Sequence, residues 1–434
     1  MNSSMHQFKR ESELRLGLLG FGTVGSSFAE VLAAGGHKDI QITRVFNRDV
    51  QRKRQQPRAK FVPADAIWTD CVEDVLTAPD VDAVIELIGG LEPIEIWLRT
   101  ALEAGKHVIT ANKQLLAFRG TELLDLAAKH DVQLLFGASV AGGVPVIPGM
   151  VQGLSGDKIR RISGIVNGTC NFILSSMETG ANYGEVLANA QRAGYAESDP
   201  SADVDGIDAR AKLCILARLA LKAEIRPEDV PAQTIKHVGS VDFPYARELG
   251  CTIRQVSRAQ VDGDLVRARV GPMLVPKTSP IAWSHGTQNM IVTSGEFGGD
   301  VVFSGHGAGG HPTAVAVMSD VLAVAQRSSA VRLPVAKLAV TGDVHAPHYL
   351  RLVVSDRPGI VAAIAGALAK EQINIDSILQ HRGHASDRLP FVVTTEPCLR
   401  STLDRAVVTM GSMDFMLEAP LVLEILVEED RETD

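Results

Sequence analysis

The chain has 434 residues, enough for two or three domains, and its 45% apolar and 22% charged residues are typical of a globular protein. Binding to nucleic acids or to anionic membranes requires a strongly basic surface. The formal net charge of −8 argues against such a surface, so neither is an expected partner. No signal peptide or membrane span is recognisable, and five scattered cysteines without a C-x-x-C pair predict reduced thiols in the cytoplasm.

The first third of the chain alternates strand-like apolar runs with helical stretches. Strands are predicted at Leu14–Leu19, Ile40–Phe46, Ala83–Ile88 and His107–Thr110, and helices up to about Ala34, at Ile94–Ala104 and at Gly120–Lys129. Strands that alternate with helices form right-handed βαβ units, which build a doubly wound parallel sheet. We therefore predict an α/β, Rossmann-type domain over residues 1–155, with a returning segment near residues 305–330.

A glycine-rich turn follows the first predicted strand. Gly20, Gly22 and Gly25 form a G-x-G-x-x-G pattern, with Thr23 and Val24 at the start of the next helix. The first glycine allows a tight turn, the second lets the backbone approach a pyrophosphate, and the third lets helix and strand pack closely. The pattern predicts dinucleotide binding, and a glycine-rich turn without a ligand is the alternative.

The end of the second predicted strand bears on the choice of nicotinamide nucleotide. Where an acidic residue often binds the ribose of NAD, this chain has Arg48, followed by Asp49 and a basic run at residues 52–54. A guanidinium can hold the 2′-phosphate of NADP, whereas a carboxylate would repel it. Arg48 therefore favours NADP, although NAD is possible because Asp49 is close and the basic run can be a solvated helix face.

Beyond about Gly156 the pattern becomes that of an α+β region. Helices are predicted at Tyr183–Ala193, Ile207–Ala223 and Thr313–Gln326, and strands at Lys158–Val166, Gln260–Val270 and Asn289–Thr293. Such a region can hold a substrate and build a subunit interface, so we assign residues 156–330 to a substrate-binding and dimerisation domain. The proline- and charge-punctuated residues 331–347 are interpreted as a linker.

The last part of the chain, residues 348–430, has the pattern of a compact unit. The predicted order is strand Tyr349–Val354, helix Ile360–Glu371, strands Asn374–Gln380 and Pro390–Thr395, helix Thr402–Met410 and strand Leu421–Val427. This βαββαβ order is that of a ferredoxin-like fold. The turn Asp356–Gly359 precedes a helix whose free N–H groups can bind a carboxylate, and the segment Asn374–Ser377 can hold an ammonium group.

Two ionisable residues share one face of the predicted helix Ile207–Ala223. Asp208 and Lys212 are four residues apart, so their side chains lie on the same side of that helix. A lysine can supply the proton or the positive charge that reduction of a carbonyl by hydride transfer requires. An ordinary surface ion pair is the alternative. The acidic loop before the helix, which includes Glu197 and Asp203, favours the catalytic interpretation because carboxylates bind an ammonium group.

Several segments, in order over roughly residues 15–330, resemble those of the homoserine dehydrogenase family. They are Glu86–Gly90, Gly105–Lys113, Ala138–Pro145, Asn167–Thr169 with Asn171, Gly194–Lys212 and Gly305–Ala314. The unit from Tyr349 resembles an ACT domain. The resemblance implies an NAD(P)-dependent enzyme that interconverts L-aspartate 4-semialdehyde and L-homoserine, on the route to threonine, methionine and isoleucine. It also implies a homodimer or homotetramer, with threonine as an effector at the ACT domain.

The resemblance further implies roles for residues around the substrate. Lys212 would donate or accept the proton, and Asp208 would orient the substrate hydroxyl or a shared water. Glu197 and Asp203 would bind the amino acid portion of the substrate, and Lys113 would lie between nicotinamide and substrate.

Other positions match those that contact the cofactor in the family. Thr23, Val24 and Lys113 are among them, and Gly307 or Gly309 would close over the nicotinamide. Lys113 is expected at the end of a short strand, on the side where a doubly wound sheet binds its ligands.

One position departs from the family pattern. Where many relatives have a glutamate at the start of a loop that surrounds a sodium ion, this chain has Gly137. If main-chain carbonyls hold the ion, Val140, Gly142 and Val144 are the candidates and a glycine is tolerable. If the carboxylate is needed, the site is lost.

Two other classes of function are alternatives. An acylating semialdehyde dehydrogenase would need a thiolate nucleophile, for which Cys170 is the candidate, although a small buried residue is its simpler interpretation. A non-enzymatic ligand sensor would combine a nucleotide-binding domain with an ACT-type domain. A sensor has no need of the proton-transfer group that Asp208 and Lys212 suggest.

Overall fold

The computed structural model describes residues 13–326, 335–383, 385 and 387–427. Its first elements are β1 (Leu14–Leu19), α1 (Thr23–Gly35), β2 (Ile40–Phe46), α2 (Val50–Arg54), β3 (Ile67–Thr69), α3 (Glu73–Leu76), β4 (Ala83–Glu86), α4 (Ile94–Glu103), β5 (His107–Thr110), α5 (Lys113–Lys129), β6 (Leu134–Leu135) and α6 (Val146–Pro148). The six strands are parallel in the order β3-β2-β1-β4-β5-β6. This is the strand order of a Rossmann fold, which confirms the predicted doubly wound sheet.

Two boundaries in this sheet differ from the sequence prediction. The helix predicted from Gly120 begins at Lys113, because Asn112 caps it by accepting a hydrogen bond from the Leu115 N–H at 3.1 Å. Strand β4 ends at Glu86 and not at Ile88, because the Ile88 N–H turns back to the Glu86 carboxylate.

The middle of the chain adds β7 (Ile159–Ile165), α7 (Gly168–Met177), α8 (Tyr183–Arg192), α9 (Ser201–Val204), α10 (Ile207–Leu216), β8 (Ala223–Glu224), α11 (Asp242–Glu248), β9 (Cys251–Asp262), β10 (Leu265–Pro276), β11 (Gln288–Gly295), β12 (Asp300–His306) and α12 (Gly310–Ala325). The strand predicted at Gln260–Val270 is wrong, since that stretch contains the turn of the β9–β10 hairpin, where Gly263 has a φ of +59°. The helix predicted to Ala223 ends as α-helix at Leu216 and continues as a π-helical segment, Ala217–Leu221.

The C-terminal part consists of β13 (Ala336–Lys337), β14 (Ala339–Thr341), β15 (His345–Ala346), β16 (His348–Val354), α13 (Ile360–Lys370), β17 (Ile375–Leu379), β18 (Leu389–Thr395), β19 (Cys398–Leu399), α14 (Arg400–Gly411) and β20 (Leu421–Ile425). The order β16-α13-β17-β18-α14-β20 confirms the βαββαβ prediction, with β19 as an addition. The start of the predicted linker lies outside the described residues. Its remainder differs from the prediction, because β13 pairs with β8 and β14 pairs with β10.

One mixed sheet connects the middle and C-terminal parts, in the order β12-β11-β7-β9-β10-β20-β16-β18-β17. Strand β20 pairs in parallel with β10 at Met273 and Leu274. The chain therefore divides into a first unit that ends at Val151 and includes the segment from Gly307, and a second unit that runs from Gln152 to His306 and from Val335 onwards. No helix in the described ranges is long and apolar enough to cross a membrane.

Buried ion pairs hold the C-terminal strands within the second unit. Asp242, at the start of α11, accepts a hydrogen bond from the Tyr349 hydroxyl at 2.7 Å and pairs with Arg351 at 2.6 Å. Arg269 of β10 pairs with Glu424 of β20 at 2.6 Å. Because a buried charge that loses its partner is costly, these contacts tie the two parts of the second unit together.

Candidate functional site

In the glycine turn of the first unit, each of the three glycines meets a different requirement. Gly20 has a φ of +99°, and its N–H donates to the Phe46 carbonyl at 3.0 Å. A Cβ on Gly25 would lie 2.1 Å from the Gly20 carbonyl oxygen, so only glycine fits there. A Cβ on Gly22 would meet no atom within 4 Å, which leaves open space at the N-terminus of α1. A pyrophosphate requires such space beside free N–H groups.

The segment that returns to the first unit places the start of α12 against the start of α1. A Cβ on Gly310 would lie 2.7 Å from the Ser27 hydroxyl and 3.2 Å from the Thr23 methyl group. Gly309 precedes it as the N-cap of α12, with a φ of +126°. The glycines of both helix starts therefore line the same part of the first unit.

After β2, Arg48 and the basic run at residues 52–54 have different surroundings. Asp49 caps α2 by accepting the Arg52 N–H, and its carboxylate also pairs with the Arg52 guanidinium at 2.7 Å. Arg48 is exposed. The Asp49 charge is thus balanced within its own helix, and the Arg48 side chain can turn to an anion in solution.

A buried glutamate organises the carboxyl ends of β4 and β5. Glu86 accepts the N–H groups of Ile88 and Gly89, both at 2.7 Å, and the Thr110 hydroxyl at 2.6 Å. Lys113 was predicted to end a short strand. It is instead the first residue of α5, and its side chain is half-buried. It still lies at the carboxyl edge of the sheet, where doubly wound folds bind ligands.

In the second unit, Lys212 lies between two oxygens. Its ammonium is 2.8 Å from the Asp208 carboxylate and donates to the Val166 carbonyl at 2.8 Å. Asp208 is buried and Lys212 is only 12% exposed, so this is not the ordinary surface ion pair that the sequence left open. A partly desolvated lysine beside a carboxylate can donate or accept a proton.

Asn167 connects this pair to the preceding acidic loop. Its amide nitrogen donates to Asp203 at 2.7 Å and to Asp208 at 2.9 Å. Burial and the nearby Asp208 raise the pKa of the Asp203 carboxyl, and the hydrogen bond from Asn167 opposes that rise. In the sequence, Asn167 is recognisable only as part of a family motif. Its contacts join residues 36 and 41 positions apart, which no spacing reveals.

Glu197 is not held by this cluster in the same way. It is exposed between α8 and α9, and its main-chain carbonyl accepts a hydrogen bond from the Gln191 amide at 3.0 Å. The neighbouring Ala196 is buried and fixes the loop. The Glu197 carboxylate therefore faces solvent, where an ammonium group can reach it.

The environment of Cys170 argues against a thiol nucleophile. The residue is fully buried, and its thiol donates to the Asp203 carbonyl at 3.2 Å. Burial raises the pKa of this thiol well above its usual value, and the charges of Asp203 and Asp208 act in the same direction. The thiolate that an acylating dehydrogenase requires is therefore not formed here.

The loop that begins at Gly137 meets a carboxylate from α12. The Gly137 N–H donates to Asp320 at 2.8 Å, and a Cβ on Gly137 would lie 2.9 Å from the other Asp320 oxygen. Burial raises the pKa of Asp320 to about 7. The loop then turns at Ala141, which has a φ of +52°. Sequence reasoning missed Asp320, which is 183 residues away from Gly137.

A cavity of about 300 Å³ lies at the start of α13 in the C-terminal part. It is lined by residues that include Asp356, Arg357, Gly359, Gln380 and Phe391. The segment Asn374–Ser377 contributes nothing to this lining, contrary to expectation. Asn374 donates instead to the Glu396 carboxylate, and the Asp376 carboxylate accepts hydrogen bonds from the Thr394 and Ser377 hydroxyls.

Comparison with known proteins gives a consistent family. Family models described as "Homoserine dehydrogenase, NAD binding domain", "Homoserine dehydrogenase" and "ACT domain" match residues 20–137, 145–322 and 348–399. A homoserine dehydrogenase of Bacillus subtilis is 37% identical over 401 residues, which cover 88% of this chain and 90% of the relative. One from Synechocystis is 34% identical and covers 95% of this chain and 99% of the relative.

A solved structure supports the same assignment. The crystal structure of a homoserine dehydrogenase from Thiobacillus denitrificans matches with a TM-score of 0.87 and 32% identity, over 95% of this chain and 98% of that one. The likeness extends over the parallel sheet, the mixed sheet and the βαββαβ unit. The chain therefore belongs to the homoserine dehydrogenase family, oxidoreductases that act on a CH–OH group, and it carries an NAD-binding domain and a C-terminal ACT domain.

Proposed function

We propose that this protein reversibly reduces L-aspartate 4-semialdehyde to L-homoserine with NADPH, and that Lys212 donates the proton to the substrate oxygen. The observation that carries this proposal is the Lys212 ammonium, held at 2.8 Å from both Asp208 and the Val166 carbonyl. An ammonium has three N–H donors. Within the described part of the chain these two partners take two of them, which leaves one donor for the aldehyde oxygen.

The residues around Lys212 divide the remaining work. Bound NADPH supplies the hydride. As the aldehyde oxygen gains negative charge, Lys212 stabilises and protonates it, and Asp208 keeps the ammonium in place. Asp203 and the exposed Glu197 bind the ammonium group of the substrate. Lys113, at the start of α5, adds positive charge at the ligand-binding edge of the first unit.

The nucleotide binds at the glycine turn and is NADP(H) in preference to NAD(H). Gly20, Gly22 and Gly25 with Thr23 and Val24 hold the pyrophosphate at the start of α1, and the open space over Gly22 supports this. Gly309 covers the nicotinamide side. Arg48 binds the 2′-phosphate, which is supported by its exposure and by the pairing of Asp49 with Arg52.

A sodium ion binds the carbonyl oxygens of Val140, Gly142 and Val144. Oxygen ligands suit a hard cation. The Asp320 carboxylate supports this part of the proposal, because it reaches the Gly137 N–H at the start of the loop and supplies negative charge that glycine lacks. Thermal unfolding in sodium chloride and in choline chloride at equal ionic strength tests it. A sodium-specific rise in Tm is expected, and equal Tm values in the two salts would contradict the proposed sodium site.

Threonine binds the ACT domain in the cavity at the start of α13 and inhibits the enzyme. The free N–H groups after Gly359 suit a carboxylate, and Asp356 is available for the ammonium group. Calorimetry with threonine, and initial rates at millimolar threonine, test this role. Binding without inhibition, or no binding at all, would leave the ACT domain with a structural role only.

We further propose that the protein is cytoplasmic and forms a homodimer or homotetramer. Sedimentation equilibrium measures the oligomeric state.

The assay for the main proposal is oxidation of NADPH on addition of L-aspartate 4-semialdehyde. Activity should require no phosphate and should survive thiol alkylation, since no thioester forms. Lys212→Ala should lower it by about two to four orders of magnitude, whereas Lys236→Ala, which removes an exposed lysine paired with Asp205 at 2.9 Å, should leave it nearly unchanged. An inactive wild-type protein would overturn the proposal.

A further inference from the structure

Two consecutive residues just after β7 contact all three members of the charged cluster formed by Asp203, Asp208 and Lys212. The Val166 carbonyl accepts from Lys212, and the Asn167 amide donates to Asp203 and Asp208. These three ionisable side chains come from α9 and α10, whereas Val166 and Asn167 form the junction between β7 and α7. The junction is therefore the common support of the cluster.

The orientation of the Asn167 amide is fixed by the helix that follows it. Its oxygen accepts the Cys170 N–H at 2.9 Å and so caps α7. With the oxygen used in this way, the amide nitrogen must face the carboxylates, which removes the usual ambiguity of an asparagine side chain. The backbone is fixed as well, since a Cβ on Gly168 would lie 2.7 Å from the Thr287 carbonyl oxygen.

Asn167 also has the number of donors that this place requires. An amide NH₂ carries two protons, and one is directed to each carboxylate. Two carboxylates that share a site repel each other, so that one tends to take up a proton. Asn167 is buried, and a neutral donor there reduces this repulsion without adding a charge of its own.

We propose that Asn167 is a positioning residue for the reaction, which keeps Asp203 and Asp208 apart and ionised so that Asp208 can hold the Lys212 ammonium. The proposal rests on the function proposed above for Lys212. Asn167 does not itself contact the reacting atoms in this scheme. The ionisable groups around it are Asp203 of α9, Asp208 and Lys212 of α10 and the buried Cys170 thiol of α7.

The test compares Asn167→Asp with Asn167→Ser. Aspartate and serine cap helices about as well as asparagine does, so α7 should remain capped in both variants. Asn167→Ser should change Tm little, whereas Asn167→Asp places a third carboxylate beside Asp203 and Asp208 and should lower Tm at neutral pH. Both variants lose the two N–H donors of the amide; serine keeps a single O–H donor on a shorter side chain, and only aspartate adds a negative charge. We expect kcat to fall by about tenfold to a hundredfold in both variants, as for a small misplacement of a catalytic group. The KM for NADPH should stay within about twofold, because the glycine turn is unchanged.

The pH profile separates positioning from a structural role. In Asn167→Asp the added charge favours protonation of the neighbouring carboxylates, so the acidic limb of the kcat profile should move to higher pH than in Asn167→Ser. Wild-type kcat and an unmoved limb in folded variants would overturn the proposal, and so would a fall in the activity of Asn167→Ser that is matched by a loss of its Tm. If one variant does not fold, the other gives the kcat test. Retained activity in Lys212→Ala would instead refute the proton-donor role of Lys212 on which the proposal rests.

Discussion

The imidazole ring of His381 is stacked on the ring of Tyr245, with centroids 4.0 Å apart and planes inclined by 11°. His381 follows Gln380, which lines the cavity of the ACT domain, and Tyr245 belongs to α11 in the other part of the second unit. The Tyr245 hydroxyl also donates to the Pro390 carbonyl at 3.1 Å. A ligand that moves Gln380 would therefore act directly on α11.

We expect His381→Ala to weaken threonine inhibition by at least about fivefold, the lower end of common coupling factors, with activity in the absence of threonine nearly unchanged. The concentration of threonine that halves the initial rate measures this. Glu248→Gln is the matched control, because it removes the carboxylate that lies 2.8 Å from the His381 ring nitrogen and leaves the stacked ring in place. Equal effects in both variants would assign the coupling to the contact with Glu248, and no effect in either would exclude the His381 side chain from the coupling.

Lys212→Ala should lower kcat by about two to four orders of magnitude, the usual contribution of a positioned acid or base. Asp208→Ala should act in the same direction, with a larger rise in the KM for homoserine, because it releases the ammonium held at 2.8 Å. NADPH affinity, measured by fluorescence titration, should change little in both. Activity within about threefold of wild type would remove the altered residue from the mechanism.

Arg48→Ala should raise the KM for NADPH by about tenfold and leave NADH kinetics nearly unchanged, because only NADPH carries the 2′-phosphate. Arg54→Ala is the control, because it removes an exposed cation of the same helix and leaves the 2.7 Å pair between Arg52 and Asp49 in place. Equal losses with both nucleotides would show that Arg48 supports the fold. A wild-type preference for NADH would contradict the assignment.

Asp320→Asn should stabilise the protein at pH 8 and much less at pH 4 in sodium-free buffer. The folded-state pKa of Asp320 is raised to about 7, above its unfolded value, so the stability it contributes in acid is lost as pH rises toward that value. At about 1.36 kcal/mol per pKa unit the gain is at most about 4 kcal/mol, or several degrees in Tm. Asparagine keeps an acceptor for the Gly137 N–H.

The control for Asp320 is a carboxylate with the opposite behaviour. Hydrogen bonds from the Gly298 N–H and its neighbours lower the pKa of Asp157, so its stabilisation is present at neutral pH and lost in acid. Asp157→Asn should therefore lower Tm at pH 7 more than at low pH. If sodium binds near Asp320, adding it should lower that pKa and reduce the advantage of Asp320→Asn at pH 8.

Long elements of the fold were predictable from sequence because their patterns are long enough to recognise. Strands β3 and β6 have three and two residues and carry no such pattern. The early start of α5 did have a signal, the capping residue Asn112 before Lys113, which the helical pattern from Gly120 obscured. The β9–β10 hairpin was misassigned because its tight turn at Gly263 lies within an otherwise continuous strand-like run.

The candidate site was predictable to the extent that it is local. Asp208 and Lys212 are one helical turn apart, so their pairing follows from the sequence. Asn167 and Asp320 act through contacts between distant parts of the chain, and these depend on how the sheets are assembled. The same applies to the buried contacts of Asp242 with Tyr349 and Arg351. These two residues follow a segment that was predicted to be a linker, so contacts with α11 were not expected.

The parallel pairing of β20 with β10 makes the ACT domain a poor candidate for removal by truncation. A chain that ended near Ala336 would lose both β14 and β20, and the edge of β10 would present unpaired N–H and C=O groups to solvent. Such an edge is a template for pairing with other chains, and we expect the shortened protein to aggregate. The proposed inhibition by threonine is therefore better tested with point variants that alter the cavity and leave the strands in place.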